Sequence, residues 1–192
     1  MRVHPAIAAL RSDRAPQRIA QATMKQACDT WRQKHDVAQA LEQFRQFGAG
    51  AKLEDCPALD EVFTGQGRAE SMMRSLAQQF CKALAESPLG HPPFRHGFEG
   101  RASTLLLAKS GRAQLMLQAR EPGSYEFPGA TFSDALRYDA TLAGKASAHI
   151  LRIRGVQDRV HFVEERVTLR PGARLGFDCS NETMLVHDVS QR

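Results

Sequence analysis

The sequence lacks any long apolar run. Its longest uninterrupted apolar stretches, residues 6–10 and 105–108, are far shorter than the roughly 20 residues that a membrane-spanning helix needs. The first stretch is followed at once by Arg11 and Asp13, so it does not form the apolar core of a secretory signal peptide. We therefore expect a cytoplasmic protein with no membrane partner.

Cysteine is also sparse, with four residues at positions 28, 56, 81 and 179. No two of them have the two-residue spacing of zinc knuckles or redox motifs. Cys28 and Cys81 fall in segments of helical period beside apolar positions, where a thiol usually serves as a small core residue. The pattern is typical of free thiols in a reducing compartment. It predicts neither a bound metal nor another cofactor.

Charge of one sign is not concentrated in either half of the chain. The 26 Lys and Arg residues exceed the 21 Asp and Glu residues by a net +5, and acidic residues are interspersed throughout. Two small basic clusters occur, one at Arg11, Arg14 and Arg18 and one at Arg152, Arg154 and Arg159. Since no aromatic residues lie between these cations to stack on bases, a solvated surface explains them and nucleic acid is not expected as a partner.

What the sequence does contain is a change of apolar period near residue 90. Before it, apolar residues recur at steps of three and four, which predicts amphipathic helices over residues 16–47, with a break near 34–36, and over 57–63 and 68–85. After it, apolar and polar residues alternate and turn signals recur about every 8–12 residues, which predicts about eight antiparallel strands. Trp31, the only tryptophan, is expected to anchor the packing of the helices.

This change of period predicts the fold class and the domain organisation. We expect an α+β protein in which a helical region over residues 1–90 precedes an antiparallel β domain over residues 101–192. The segment between them, residues 91–100, is rich in proline, glycine and histidine and is predicted to be a linker. The strand spacing favours a β-sandwich or a small barrel for the second domain.

Residues 155–172, GVQDRVHFVEERVTLRPG, carry the closest local resemblance to a known family. His161 follows a glycine by six residues and is itself followed by two glutamates, and the segment closes on Pro171 and Gly172. This order resembles the first motif of the cupin superfamily, in which two histidines one residue apart and a glutamate converge on a metal. Val163 stands at the second histidine position here, and the third histidine of the second motif has no match. The resemblance implies a jelly-roll scaffold that binds without a metal.

Two functions in different classes follow for the β domain. The first is a non-catalytic binding or regulatory protein whose barrel holds a small apolar or anionic ligand, while the helices mediate association with a protein partner or with further copies of the chain. The alternative is a cupin-type metalloenzyme with an irregular site. The candidate site residues are His149, His161 and Glu165, because two histidines and a carboxylate can hold a transition metal when all three face the interior. On a regular strand Glu165 shares a face with His161.

A candidate anion site lies ahead of the last predicted helix. Gly65, Gly67 and Arg68 would place free backbone donors and a guanidinium at a helix N-terminus, which attracts anions. The run lacks the glycine-lysine pair of a P-loop and follows no predicted strand, so it does not predict nucleotide binding. A third functional alternative is a helical interaction module with weak nucleic-acid affinity through the first basic cluster.

Two further pairs contain chemically versatile side chains. His91 and His96 frame a proline-stiffened loop and could bind a metal or exchange protons, although a polar linker is the simpler interpretation. Cys179 and His187 fall on neighbouring predicted strands joined by a short turn, where they could form a thiol-imidazole pair. Chance proximity in a hairpin is the simpler interpretation of that pair as well.

Overall fold

The computed structural model describes residues 13–127, 129–156 and 160–190, together with Pro5 and Ile7. From residue 13 onward, four α-helices precede the strands. The helices are α1 (Ala15–Arg32), α2 (His35–Gly48), α3 (Pro57–Thr64) and α4 (Arg68–Glu86), with a 3-10 turn at Leu53–Asp55. The predicted break near residues 34–36 is the junction of α1 and α2. The N-terminal helices and the antiparallel sheets that follow them confirm the α+β class.

Nine strands follow the helices in the described residues. They are β1 (Arg95–Glu99), β2 (Ala102–Ser110), β3 (Ala113–Arg120), β4 (Gly123–Ser124), β5 (Leu136–Ala140), β6 (Ala146–Val156), β7 (Val160–Leu169), β8 (Arg174–Asp178) and β9 (Glu182–Val189). Their sheets have the orders β1-β2-β3, β4-β9-β6-β7 and β5-β8. These sheets do not close into a barrel within the described part of the chain. Strand β1 lies inside the segment predicted to be a linker.

The chain forms two compact units. The first comprises the residues up to Asp60 together with Glu70–Gly97 and Thr104–Leu117. The second comprises Glu61–Ala69, Phe98–Ser103 and the residues from Gln118 onward. We refer to them as the helical unit and the sheet unit.

Trp31 lies at the centre of the helical unit and is fully buried. Its indole Nε1 donates a hydrogen bond to the Met72 carbonyl oxygen at 3.2 Å, which satisfies the one polar group that the ring takes out of water. Its ring meets Phe94 edge to face, with centroids 6.3 Å apart. Met24 on α1 and Val37 on α2 likewise have no exposed surface. The predicted role of Trp31 as the packing anchor is confirmed.

In the sheet unit, strand β6 lies between β7 and β9 and has two chemically different faces. Ala148 and Ile150 on one face are buried, as is Val186, which lies directly opposite Ala148 on β9. His149 points to the other face, because side chains alternate along a strand. A register shift in the β6–β9 pairing between Ser147 and Ala148 leaves one residue of β9, His187, without a direct partner.

Candidate functional site

The non-core face of β6 carries a cluster of two histidines and one glutamate, His149, His187 and Glu164. His149 Nδ1 lies 2.8 Å from Glu164 Oε1, and the ring centroids of the two histidines are 4.1 Å apart. The strand register explains the cluster. Glu164 lies opposite Leu151, the neighbour of His149 on the same face, so its carboxylate reaches the imidazole diagonally across β6 and β7.

His187 contributes a buried nitrogen to this cluster. Its Nε2 atom is buried and has no hydrogen-bond partner among the described residues, and the Phe127 ring meets its imidazole edge to face at 5.9 Å. A buried polar atom without a partner is costly, so such atoms often mark a place where a further group binds. Glu164 restricts the orientation of the His149 ring. The side chains of the cluster can therefore donate hydrogen bonds to, or accept them from, a polar group that binds on this face.

The structure does not bring the predicted residues His149, His161 and Glu165 together. Glu165 lies opposite Ile150, so it points to the core face, away from His149. His161 is exposed and lies opposite Gly155, beyond a register shift in the β6–β7 pairing. Within the described part of the chain, no group of three or more His, Cys, Asp and Glu side chains has a geometry that could hold a metal ion.

Glu165 instead belongs to an ion-pair network centred on Arg152. Arg152 Nη1 lies 2.5 Å from Glu165 Oε2, and its Nε lies 2.6 Å from Glu182 Oε1 on β9. The hydrogen bonds to Glu165 and then to Glu182 raise the pKa of the Arg152 guanidinium. These ion pairs of Arg152 therefore link β6 to both β7 and β9 at one end of their shared core face.

The predicted anion site at the start of α4 has identifiable backbone roles. Gly67 has φ of +83°, a conformation that favours glycine. A Cβ atom at Gly65 would lie 2.6 Å from the Glu61 carbonyl oxygen, and the Gly65 carbonyl accepts a hydrogen bond from Arg174 Nε at 3.1 Å. Arg68 Nε lies 3.8 Å from Glu61 Oε2, so a carboxylate partly offsets its charge. Anion binding by Gly65, Gly67 and Arg68 stays a prediction.

The other two predicted pairs also have defined surroundings. The His91 and His96 rings lie beside each other, with centroids 5.2 Å apart, and the His91 carbonyl accepts a hydrogen bond from Gln21. Burial raises the pKa of the Cys179 thiol. A raised pKa keeps the thiol protonated, whereas a nucleophilic cysteine needs a lowered one.

The helical unit contains two grooves that the sequence reasoning missed. The first groove, of about 390 Å³, runs along α1 and is lined by Arg18, Lys25, Asp29 and Arg32 among others. The second groove, of about 320 Å³, lies between α2 and β2 and is lined by Arg32, Arg45 and Lys109 together with apolar residues. Arg32 lines both, so the two grooves adjoin and together present five cationic side chains.

The charges of these grooves are only partly compensated. Lys25 Nζ lies 3.0 Å from Asp29 Oδ2, and Arg45 contacts Glu42. Arg18, Arg32 and Lys109 line the grooves without an ion pair to any described residue. All five cations are exposed, and Asp29 is the one carboxylate among the described lining residues of both grooves.

The sequence does hold a signal for the first groove. Arg18, Lys25 and Arg32 follow one another at intervals of seven residues, which is close to two helical turns and places them on one face about 10.5 Å apart. Arg11, from the predicted first basic cluster, has the same interval but lies outside the described residues, as does Arg159 from the second. Arg14 is exposed and does not line either groove.

Cys28 is a lining residue of the first groove and is almost completely buried. Burial raises the pKa of its thiol, and the nearby positive charge of Arg32 opposes that rise. The predicted structural role of Cys28 as a small core residue agrees with this burial. The same prediction is wrong for Cys81, which lies in α4 but is exposed.

Among the described residues, no helix combines the length and the apolar character needed to cross a bilayer. No protein-family model matches the chain, and neither the comparison with curated proteins nor that with solved structures found a match.

Proposed function

We propose that the protein is a non-catalytic binding protein whose helical unit takes an extended polyanion along the two grooves that share Arg32. The observation that carries this proposal is the convergence of five cationic side chains on two adjoining grooves with a single lining carboxylate. The proposal keeps the binding function predicted from the sequence and assigns the ligand to the helical unit, where the second groove includes residues of β2.

The geometry favours an extended ligand over a small anion. Cations spaced about 10.5 Å apart along α1 are too far from one another to hold one small anion jointly. A chain of phosphates or carboxylates can contact several of them in turn. Three of the five cations are arginines, whose planar guanidinium groups bind phosphate and carboxylate with two parallel hydrogen bonds. Because all five are exposed, we expect binding to be weak and sensitive to salt.

Binding of a small ligand by a cupin-like jelly roll stays a prediction for the sheet unit. The cluster of His149, Glu164 and His187 supports a site for a hydrogen-bonding group there. The metalloenzyme alternative has less support, because its three residues lie apart.

The test measures binding of three labelled polyanions at low salt by fluorescence anisotropy: inorganic polyphosphate, polyglutamate and single-stranded oligothymidine. We expect Arg32→Glu to weaken binding by about tenfold or more, since it removes an attraction in both grooves and adds a repulsion. The matched control is Arg74→Glu, the same charge change at an exposed position of α4. Equal losses in both variants would indicate a general charge effect and contradict the proposal, as would no binding of any probe. The probe that binds most tightly identifies phosphate or carboxylate as the preferred group.

A further inference from the structure

The outer edge of strand β7 is unusually long for an unpaired sheet edge. Val160–Leu169 pairs with β6 on one side and is the last strand of its sheet, so within the described residues no strand covers its other side. The opposite edge of the same sheet is the two-residue strand Gly123–Ser124. Proteins commonly shorten or obstruct exposed edges, because unpaired backbone groups there recruit another strand. Strand β4 fits that rule and β7 does not.

The composition of β7 also leaves its edge open to pairing. It contains no proline, lysine or glycine, which often block an edge or bend it. Its charged residues, Glu164, Glu165 and Arg166, also oppose pairing with a neutral strand, but they include both signs, so an antiparallel copy of the strand can pair them. Three of its apolar side chains are exposed: Val160 by 47%, Phe162 by 47% and Val163 by 45%. They lie on both faces of the strand, so a sheet that continued past β7 would cover apolar surface on both sides.

We propose that β7 pairs antiparallel with the same strand of a second copy of this chain, about a two-fold axis at Glu165. In this register Glu164 lies opposite the partner's Arg166, and the reverse pair forms symmetrically. Val163 lies opposite the partner's Val167. The result is a continuous eight-stranded sheet in which the edge of each protomer is removed. The proposal is independent of the polyanion function, which depends on other residues.

Charge selects this register from its neighbours. A two-fold axis perpendicular to the sheet keeps like faces together, so the axis must pass through a residue that lies opposite its own copy. Moving the axis by one residue along β7 therefore shifts the register by two residues. Each of these axes places one like-charged pair directly opposite, at Glu164, at Glu165 or at Arg166. An axis at Glu164 or at Arg166 forms no opposite-charge pair on β7. The axis at Glu165 forms two opposite-charge pairs on one face.

The ionic contacts within one chain fit this register. The Arg166 side chain is 85% exposed, and its Nε lies 4.0 Å from the nearest Glu164 oxygen of its own strand, so its guanidinium can reach a second carboxylate. Two Glu165 side chains would face each other at the axis. Each already has Arg152 Nη1 2.5 Å from its Oε2, which offsets the repulsion between them.

The first test is the mass of the full chain in solution, measured by sedimentation equilibrium over a wide range of protein concentration. We expect a reversible dimer. Arg166→Glu should raise the dissociation constant of the dimer by about tenfold or more, because both cross-strand ion pairs become repulsive. The double variant Glu164→Arg/Arg166→Glu should restore the dimer, since it exchanges the two cross-strand charges. It also removes the contact between Glu164 and His149, so circular dichroism must show that this variant is folded. Arg154→Glu, an equal charge change at an exposed position of β6, is the matched control. A wild-type chain that stays monomeric, or a dimer that Arg166→Glu leaves unchanged, would overturn the proposal.

The second test locates the axis. In a Cys81→Ser background, which removes the exposed native thiol, Glu165→Cys should form a disulfide-linked dimer under mild oxidation. Thr168→Cys on the same strand is the control, because in this register the two copies of that residue are roughly 20 Å apart. Circular dichroism shows whether each variant is folded. Crosslinking of the control in preference to Glu165→Cys would overturn the register.

Discussion

Asp29 is the one carboxylate among the described lining residues of the two grooves. Removing its charge therefore tests whether an anion binds in the grooves. Asp29 Oδ2 lies 3.0 Å from Lys25 Nζ and therefore competes with any bound anion for that ammonium group. Asp29→Asn removes the competing charge with little change in shape. We expect this variant to bind a polyanion more tightly, whereas Arg32→Ala should bind it more weakly.

The structure also sets the size of the salt dependence. For a single-stranded nucleic acid, the logarithm of the affinity falls with the logarithm of the salt concentration by about 0.7 for each phosphate neutralised. The three cations without an ion pair among the described residues, Arg18, Arg32 and Lys109, correspond to a slope of about −2.1. All five cations correspond to about −3.5. Between 50 and 200 mM salt the affinity should therefore fall by about 20-fold to about 130-fold.

Each variant then has a defined effect on that slope. Arg32→Ala should make it less steep by about 0.7, because one cation is lost. Asp29→Asn should make it steeper by up to about 0.7, because Lys25 becomes available to a phosphate. The assay is fluorescence anisotropy with labelled oligothymidine at several salt concentrations. If Asp29→Asn weakens binding, or if neither variant changes the slope, the grooves are not the binding surface.

Three further predictions concern the fold that supports these sites. Trp31→Ala should lower the free energy of unfolding by about 3–5 kcal/mol, measured by urea unfolding with circular dichroism, and a loss below about 1 kcal/mol would contradict its anchoring role. Gly111→Ala should cost more than about 1 kcal/mol, because Gly111 has φ of +54° and a Cβ there would lie 2.5 Å from the Gly48 carbonyl oxygen; Gly129→Ala, with open space around its Cβ, is the control in the same assay. Alkylation followed by mass spectrometry near neutral pH should modify exposed Cys81 before Cys28, whose burial raises its thiol pKa; the reverse order would contradict that burial.

The helices were predictable from the sequence because their signal is local. The stripe of apolar residues over 16–47 has one slip near 34–36, and there α1 ends at Arg32 and α2 begins at His35. The later helices begin at Pro57 and Arg68, where the sequence predicts them. Each of these features depends on residues three or four positions apart, so no long-range information is needed.

The histidine cluster was not predictable in the same way, because it depends on strand register. The alternation of side chains along β7 correctly places Glu164 and Glu165 on opposite faces of the strand. It does not determine which of them lies on the same face as His149 of the neighbouring strand. That choice depends on the pairing of Glu164 with Leu151 and on the register shift beside His187. The spacing of strands along the sequence likewise does not determine whether they close into a barrel, since strands of similar length and spacing can also form separate sheets.

The basic grooves show why net charge is a poor guide to a binding surface. An excess of +5 spread over 192 residues suggests no strongly basic region. A helix nevertheless aligns residues seven positions apart, so Arg18, Lys25 and Arg32 form a line although each has acidic or neutral neighbours in the sequence. Arg11, Arg14 and Arg18 are closer together in the sequence, yet of the two that the structure describes, Arg14 and Arg18, Arg18 alone lines a groove. For an exposed helix, cations should therefore be grouped by helical face before their charges are summed.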